Sequence, residues 1–445
     1  MDRLVNAFPA MNRRQFIAST TGALVAPLFP SAAANTEKKT VWGIAELWQW
    51  LYEKQQTSGH DSADCLQAHL DHGIRHVMWA LGRSTLDYHS ALPTSTMYAG
   101  DTRPETKVIG DSFRQECSLR AALSFAEKNN MVIYGRLGMN RHYGDSLGGG
   151  LRSKYIAAHP EWMERHRGGQ VDGTKVSFAI PEYRAERIAV LLEVAQIGAH
   201  GLCLDFCRQP PIARYHPQIL DSWLKAGHAD PRQMRTGSPE FLEWAQHRAE
   251  FVNLFMRDLR AQLSELEKTT KRKVPVMVRI PEATLDLNLM EGLDLRTWLK
   301  EGCVYEIALD PLWIWDFEYP DTASPYVELA RSHGAKIHGG ANTVTGIGVT
   351  ANARGFLERI ARNYDEGVDG LALFQTDAAF LDPALKALLG PLFPHLADAA
   401  AVSEKLAMAR KMQPQISESE RHFGLDNHSL LPQLGRAPRL SLDTL

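Results

Sequence analysis

Short apolar runs rich in strand-forming residues alternate along the chain with longer amphipathic stretches. Eight runs carry the strand pattern: His76 to Leu81, Met131 to Leu137, Lys175 to Ile180, Gly201 to Phe206, Pro275 to Ile280, Val304 to Leu309, Lys336 to Gly340 and Gly370 to Gln375. Helical periodicity fills Asp64 to His72, Leu119 to Asn129, Pro181 to Ile197 and Pro239 to Glu267. Gly73, the pair Asn129-Asn130, Gly198, Gly302, Gly334 and Gly367 each stand a few residues before a strand, where a helix C-cap belongs. A recurrent helix, cap and strand order is that of parallel βα units. Eight of them predict an α/β fold, a (β/α)8 TIM barrel. An open, doubly wound sheet is the competitor, but no GxGxxG follows the first strand and no P-loop pattern occurs.

The pattern changes character at both ends. Asn12-Arg13-Arg14-Gln15-Phe16-Ile17 precedes an uncharged apolar stretch that runs to Phe29, and Ser31-Ala32-Ala33-Ala34 follows. A charged start, a short apolar middle and a small-residue site are the order of a signal peptide. The paired arginines select the twin-arginine route. The apolar part is shorter than the roughly 20 residues a membrane helix needs. Residues 1–34 are therefore expected to be a cleaved twin-arginine signal, 35–397 the barrel, and 398–445 a C-terminal helix with a surface tail. The expected location is the periplasm or the exterior, with the twin-arginine export machinery as a partner and no stable membrane anchor after cleavage.

Composition narrows the function classes. With 49 basic and 52 acidic residues the net charge is −3, which offers no field to gather nucleic acid. The five cysteines, Cys65, Cys117, Cys203, Cys207 and Cys303, show no paired CxxC spacing and read as buried thiols. Cys203 and Cys207, four residues apart along a strand, have Cα atoms about 13 Å apart, too far for a disulfide. The 17 histidines form no ligand motif, and Gly73 separates His72 from His76. No metal and no cofactor are expected.

Long insertions follow two strands, Arg83 to Cys117 and Asn140 to Thr174, on the face where barrel enzymes build their sites. The sharpest local signal is His200-Gly201-Leu202-Cys203-Leu204-Asp205-Phe206-Cys207-Arg208. Period-two alternation puts Gly201, Cys203 and Asp205 on one face, a small-small-acid series suited to a crowded barrel interior, with Leu202, Leu204 and Phe206 facing the helices. Glu282 and Asp310 stand just past the fifth and sixth runs, whereas Glu306 falls within a strand and reads as a paired core carboxylate. Asp205, Glu282 and Asp310 are the catalytic candidates, because each stands at or just past a strand end, where barrel catalytic groups sit. Arg136, Asn140, Arg208, Arg279, Asn342, Gln375 and Asp377 are candidates for binding hydroxyl-rich ligands by directional hydrogen bonds. Trp162 and Trp313, with Trp315 and Tyr319, offer flat apolar faces for sugar rings, although Trp79 and Trp162 also suit simple packing.

This segment, with His159-Pro160-Glu161-Trp162 and Ile180-Pro181-Glu182-Tyr183-Arg184 upstream and Val368-Asp369-Gly370-Leu371-Ala372-Leu373-Phe374 downstream, resembles the bacterial glycosyl hydrolase-like family ten barrels. The resemblance covers most of residues 70–380. It implies a glycoside hydrolase-like barrel acting on a carbohydrate, with Asp205 and Arg208 at matching positions. His200, Phe206, Cys207 and Gln209 depart from the family pattern, and Phe206 replaces its second strand-end acid. A catalytically inactive carbohydrate-binding barrel and a metal-dependent sugar isomerase or hydrolase are the alternatives.

Replacing Arg13 and Arg14 together by lysine is expected to hold the protein in the cytoplasm. Cell fractionation checks this, and normal export of the double variant would contradict a twin-arginine signal.

Overall fold

The computed structural model describes residues 38–139, 141–142, 150–207, 212–311, 323–343 and 352–416. Residues 1–37, and so the expected signal peptide, lie outside the described residues, as do Asn140, Arg208, Trp313, Trp315 and Tyr319.

Ten strands occur among the described residues: β1 Thr40–Ala45, β2 His76–Ala80, β3 Val132–Gly138, β4 Met163–Arg165, β5 Val171–Val176, β6 Gly201–Asp205, β7 Val276–Pro281, β8 Glu306–Asp310, β9 Lys336–Asn342 and β10 Gly370–Phe374. Eight of them close a barrel in the order β1-β10-β9-β8-β7-β6-β3-β2, and every pairing in it is parallel. The chain is a (β/α)8 TIM barrel. Its eight strands are not all the ones the sequence pattern picks out. The run from Lys175 to Ile180 is not a barrel strand: Lys175 and Val176 end β5, which pairs antiparallel with β4 in a small hairpin inserted after β3. The eighth barrel strand is instead β1, whose apolar Val41-Trp42-Gly43-Ile44-Ala45 follows directly on the N-terminal segment.

Helix starts follow local chemistry. Ser238 caps the long helix Pro239–Thr270 through a bond from the Phe241 N–H, and Asp398 caps Ala399–Met412 through the N–H groups of Ala400 and Ala401. The predicted cap residues Gly73, Asn130, Gly198, Gly302, Gly334 and Gly367 all take positive φ. No helix among the described residues is long and apolar enough to cross a membrane.

Two apolar clusters result from the alternation. Leu202, Leu204, Phe206, Val276, Val278 and Ile280 pack outward against the helices, while Trp42, Ile44, Met78, Tyr134, Cys203, Met277 and Ala308 fill the barrel axis. Lower in the axis, Glu306 accepts from Tyr134 Oη at 2.7 Å and pairs with His338 Nε2 at 2.7 Å, the paired core carboxylate the sequence indicates. All five cysteines are free. On β9, a Cβ at Gly340 would lie 2.2 Å from the Leu309 carbonyl oxygen, a backbone atom that cannot swing aside. Gly340→Ala is expected to destabilise the fold by ~1–3 kcal/mol through overpacking. Urea unfolding checks this, and an unchanged midpoint would contradict the close approach.

Candidate functional site

On each barrel strand one set of side chains points to the axis, and the inward positions near the strand's C-terminal end line the mouth. These positions hold Arg136 on β3, Asp205 on β6, Arg279 on β7, Asp310 on β8 and Asn342 on β9, all buried. Glu46, one residue beyond β1, continues the inward parity of Trp42 and Ile44.

Five of these groups, joined by Arg83, form one chain of alternating charge. Arg83 approaches Glu46 Oε1 at 3.5 Å. Arg136 donates from one nitrogen to Glu46 Oε1 and from the other to Asp205 Oδ2. Arg279 donates from Nη1 to Asp205 Oδ1 and Oδ2 at 3.0 and 2.9 Å, and from Nη2 to Asp310 Oδ2. The Cys207 N–H adds a bond to Asp205 Oδ1 at 3.1 Å. Strand register makes this possible, because Asp205 lies beside Arg279 and Pro281 beside Asp310. Gly138 leaves space for the Arg83 stem, since a Cβ there would come within 2.3 Å of Arg83 Cγ. The Phe374 ring lies 4.6 Å from the Arg279 guanidinium, a cation–π contact on β10.

Burial works against the charges of Asp205 and Arg136, and opposite charges outweigh it. For Asp205, burial raises the pKa, but Arg279 and then Arg136 hold the carboxyl well below the usual carboxylate range. For Arg136, burial lowers the pKa, but Glu46 and Asp205 hold the guanidinium above its ordinary value. Two other acids respond the opposite way. Burial, reinforced by Glu46, pushes Asp377 up to about 8. Burial and then Glu46 push Asp87 up to about 7, against the pull of Arg83 and Arg136.

The remaining candidates are distributed as follows. Glu282 stands outside the charge chain, with its Oε2 held by Arg359 of helix Ala353–Asp365, whose Nε also donates to the Gly340 carbonyl at 2.9 Å. Asn342 is 1 % exposed, and neither its Oδ1 nor its Nδ2 has a hydrogen-bond partner among the described residues. Asp310 Oδ1 is likewise unpaired there. Asp377 is fully buried, with Oδ2 accepting from the Glu46 N–H at 3.2 Å. Gln375 supplies the left-handed turn that starts helix Thr376–Leu381. Trp162 packs within the insertion, its ring stacked on His159 with centroids 3.7 Å apart. Trp79 is fully buried in the outer core. The sequence reading missed Glu46, Arg83, Asp87 and Arg359. Among the described residues no group of His, Cys, Asp and Glu side chains is arranged to hold a metal ion.

No protein-family model and no curated protein matches this chain. Solved structures do resemble it. The α-L-fucosidase isoenzyme 2 of Paenibacillus thiaminolyticus superposes with a TM-score of 0.51 at 14% identity, over 83% of this chain and 50% of the fucosidase. This chain thus spans half the length of that protein. The maltogenic α-amylase AmyB of Thermotoga neapolitana gives a TM-score of 0.42 at 12% identity, over 80% of this chain and 75% of its own. The glycoside hydrolase domain of PelA from Pseudomonas aeruginosa gives 0.38 at 13% identity, over 78% and 95%. At such identities the likeness is one of fold, and of these three the fucosidase match alone has a TM-score above half.

The two classes of acid give stability opposite pH dependences. Asp205 contributes stability that is fully present above its unfolded pKa of about 4 and is lost as pH falls below it. Asp377, with its folded pKa raised to about 8, keeps a proton that the unfolded chain has released, so stability falls as pH rises from about 4 to about 8. Asp377→Asn removes that second slope. Its melting temperature is expected to drop less than the wild type's between about pH 5 and about pH 8. Calorimetry at both pH values checks this, and equal drops would contradict a protonated Asp377.

Proposed function

We propose that this chain is an exported glycoside hydrolase-like barrel that acts on an oligosaccharide at the C-terminal mouth of the barrel. The observation that carries the reading is the pair of strand-end carboxylates, Asp205 and Asp310, joined through one guanidinium, Arg279. Glycoside cleavage develops positive charge at the anomeric carbon, and an ionised carboxylate at the mouth stabilises it or attacks it. Asp205, held ionised by Arg279 and Arg136, suits that task. Asp310, which shares Arg279, is a better second carboxylate than Glu282, which is engaged by Arg359. Asn342, with its unpaired amide, suits a sugar hydroxyl. The family ten resemblance of the segments around Trp162, Pro181 and Asp205 supports the same substrate class. Arg13 and Arg14 support twin-arginine export to the periplasm or beyond.

A second reading, a carbohydrate-binding barrel without turnover, is favoured by one feature: both Asp205 oxygens already accept from arginine or backbone N–H groups.

Assay of the purified protein against a polysaccharide panel, together with Asp205→Asn and Asp310→Asn, tests the proposal. Each substitution is expected to lower turnover by at least about a hundredfold while binding survives. Asp205→Asn also strands Arg136 and Arg279, costing ~3–5 kcal/mol of stability. Activity that falls only in proportion to folded protein would refute the catalytic roles. Glycan binding with no wild-type turnover would favour the second reading.

A further inference from the structure

Hydrolysis of a glycoside also needs a proton for the leaving oxygen, and the two charge-chain carboxylates that flank Arg136, Asp205 and Glu46, do not suit that task. Asp205 accepts two bonds from Arg279, one from Arg136 and one from a backbone N–H, so its ionised form is strongly preferred. Glu46 is tied to Arg136 and Arg83. A donor has to be a carboxyl group at this mouth that keeps its proton.

Two groups beside Glu46 have that character, and geometry separates them. Asp377 has no exposed surface and one oxygen committed to the Glu46 N–H, so it supports the backbone after β1. Asp87 differs on both counts. It lies in the turn after β2, where its N–H donates to the Leu81 carbonyl at 3.0 Å and its own carbonyl accepts from Ser118 Oγ. These bonds fix its backbone. Its carboxyl makes no hydrogen bond or ion pair among the described residues, and the residue retains 7 % of its surface. The charged groups acting on it are Glu46 after β1, Arg83 from its own turn and Arg136 from β3.

We infer that Asp87 is the proton donor of this site, a pinned but unpaired carboxyl set beside the Glu46, Arg83 and Arg136 end of the charge chain. The inference rests on the hydrolase reading above. Asp87 passes its proton to the glycosidic oxygen as the bond from the anomeric carbon to that oxygen breaks, and the electron pair stays on the leaving oxygen. Positive charge on the sugar faces ionised Asp205. Water then adds its hydroxyl at the anomeric carbon, and its proton restores the Asp87 carboxyl, so one water is consumed and no other reactant is needed. Two carboxyl groups whose surroundings drive their protonation in opposite directions are the pattern of an acid and its ionised partner. With Asp87 raised to about 7, activity is expected to decline as pH rises through that value.

The test uses the full-length protein and the glycan it cleaves in the panel, presented as two glycosides, one with an alkyl and one with a nitrophenyl leaving group. Asp87→Asn is expected to lower kcat on the alkyl glycoside by about 10²–10⁴-fold, because an amide cannot deliver that proton. The nitrophenyl glycoside, whose leaving group needs little protonation, should lose far less, and the alkaline decline in the pH profile should disappear. Thermal unfolding of Asp87→Asn shows whether the fold is intact, and Asp87→Glu should recover part of the lost rate. Carbon NMR of labelled aspartate gives a readout independent of turnover: two carboxyls, those of Asp87 and Asp377, titrate near or just above neutrality in the wild type, and the one nearer 7 is missing from Asp87→Asn. Equal losses on both glycosides, or an unchanged alkaline limb, would overturn the assignment while leaving the hydrolase reading in place. A wild type that cleaves nothing in the panel would overturn both.

Discussion

The mouth of this barrel depends on Arg279. Its guanidinium donates to Asp205 on one neighbouring strand and to Asp310 on the other, and it lies against Phe374. Three adjacent strands are thereby tied together by one planar cation, whose fork of donors matches two carboxylates as no ammonium does. The group is 1 % exposed, so removing either carboxylate would leave a buried charge poorly compensated. Small residues beneath it make that possible: Cys203 and Ala308 leave the axis open enough for a long side chain to lie across it. The arrangement is costly to bury and specific in register, which identifies the mouth as the place where this fold departs from an apolar interior.

Electrostatics divides the acids of the mouth into two populations. Asp205, in line with the arginines, is held ionised; those beside Glu46 but outside the line, Asp87 and Asp377, keep protons toward neutrality. Glu46 is the pivot, since its one carboxylate anchors Arg136 and also raises both of its acidic neighbours. Burial alone would protonate every one of these groups, so the position of each relative to the guanidinium chain decides its state.

Much of the architecture was legible because βα units repeat their punctuation. The helix from Pro181 to Ile197 and the six positive-φ cap positions follow directly from proline, asparagine and glycine placement. The strand of Asp205 was legible from alternation, as were the strand-end positions of Arg136, Arg279, Asp310 and Asn342. The failures share one cause. Val41 to Ala45 is a short apolar run beside the N-terminal segment, while Val176 to Ile180 mimics a strand with residues that finish a hairpin and lead into a helix. Losing β1 meant losing Glu46, which only counts as an inward residue once Trp42 and Ile44 are known to face the axis. Arg83, Asp87 and Arg359 lie on turns or helices, and no periodicity marks which turn residue leans toward a barrel mouth. Their roles follow from charge partners tens of positions away in the sequence.

The ring closes where β1 meets β10, and that seam sets an order of events. Lys39 donates to the carbonyl of Val368, the Lys39 N–H to that of Ala397, and the Glu46 N–H to Asp377, 331 residues later in the sequence. A ribosome must therefore release nearly the whole barrel before its first strand acquires its second neighbour. Until then the Glu46 N–H lacks its acceptor on Asp377, and the backbone that carries the Arg136 partner is less firmly held. The Glu46 end of the charge chain is thus completed last, beside seam contacts that span 329 and 331 positions, so a polypeptide cut short before β10 would carry every strand-end residue from Arg136 to Asn342 and still lack a finished mouth.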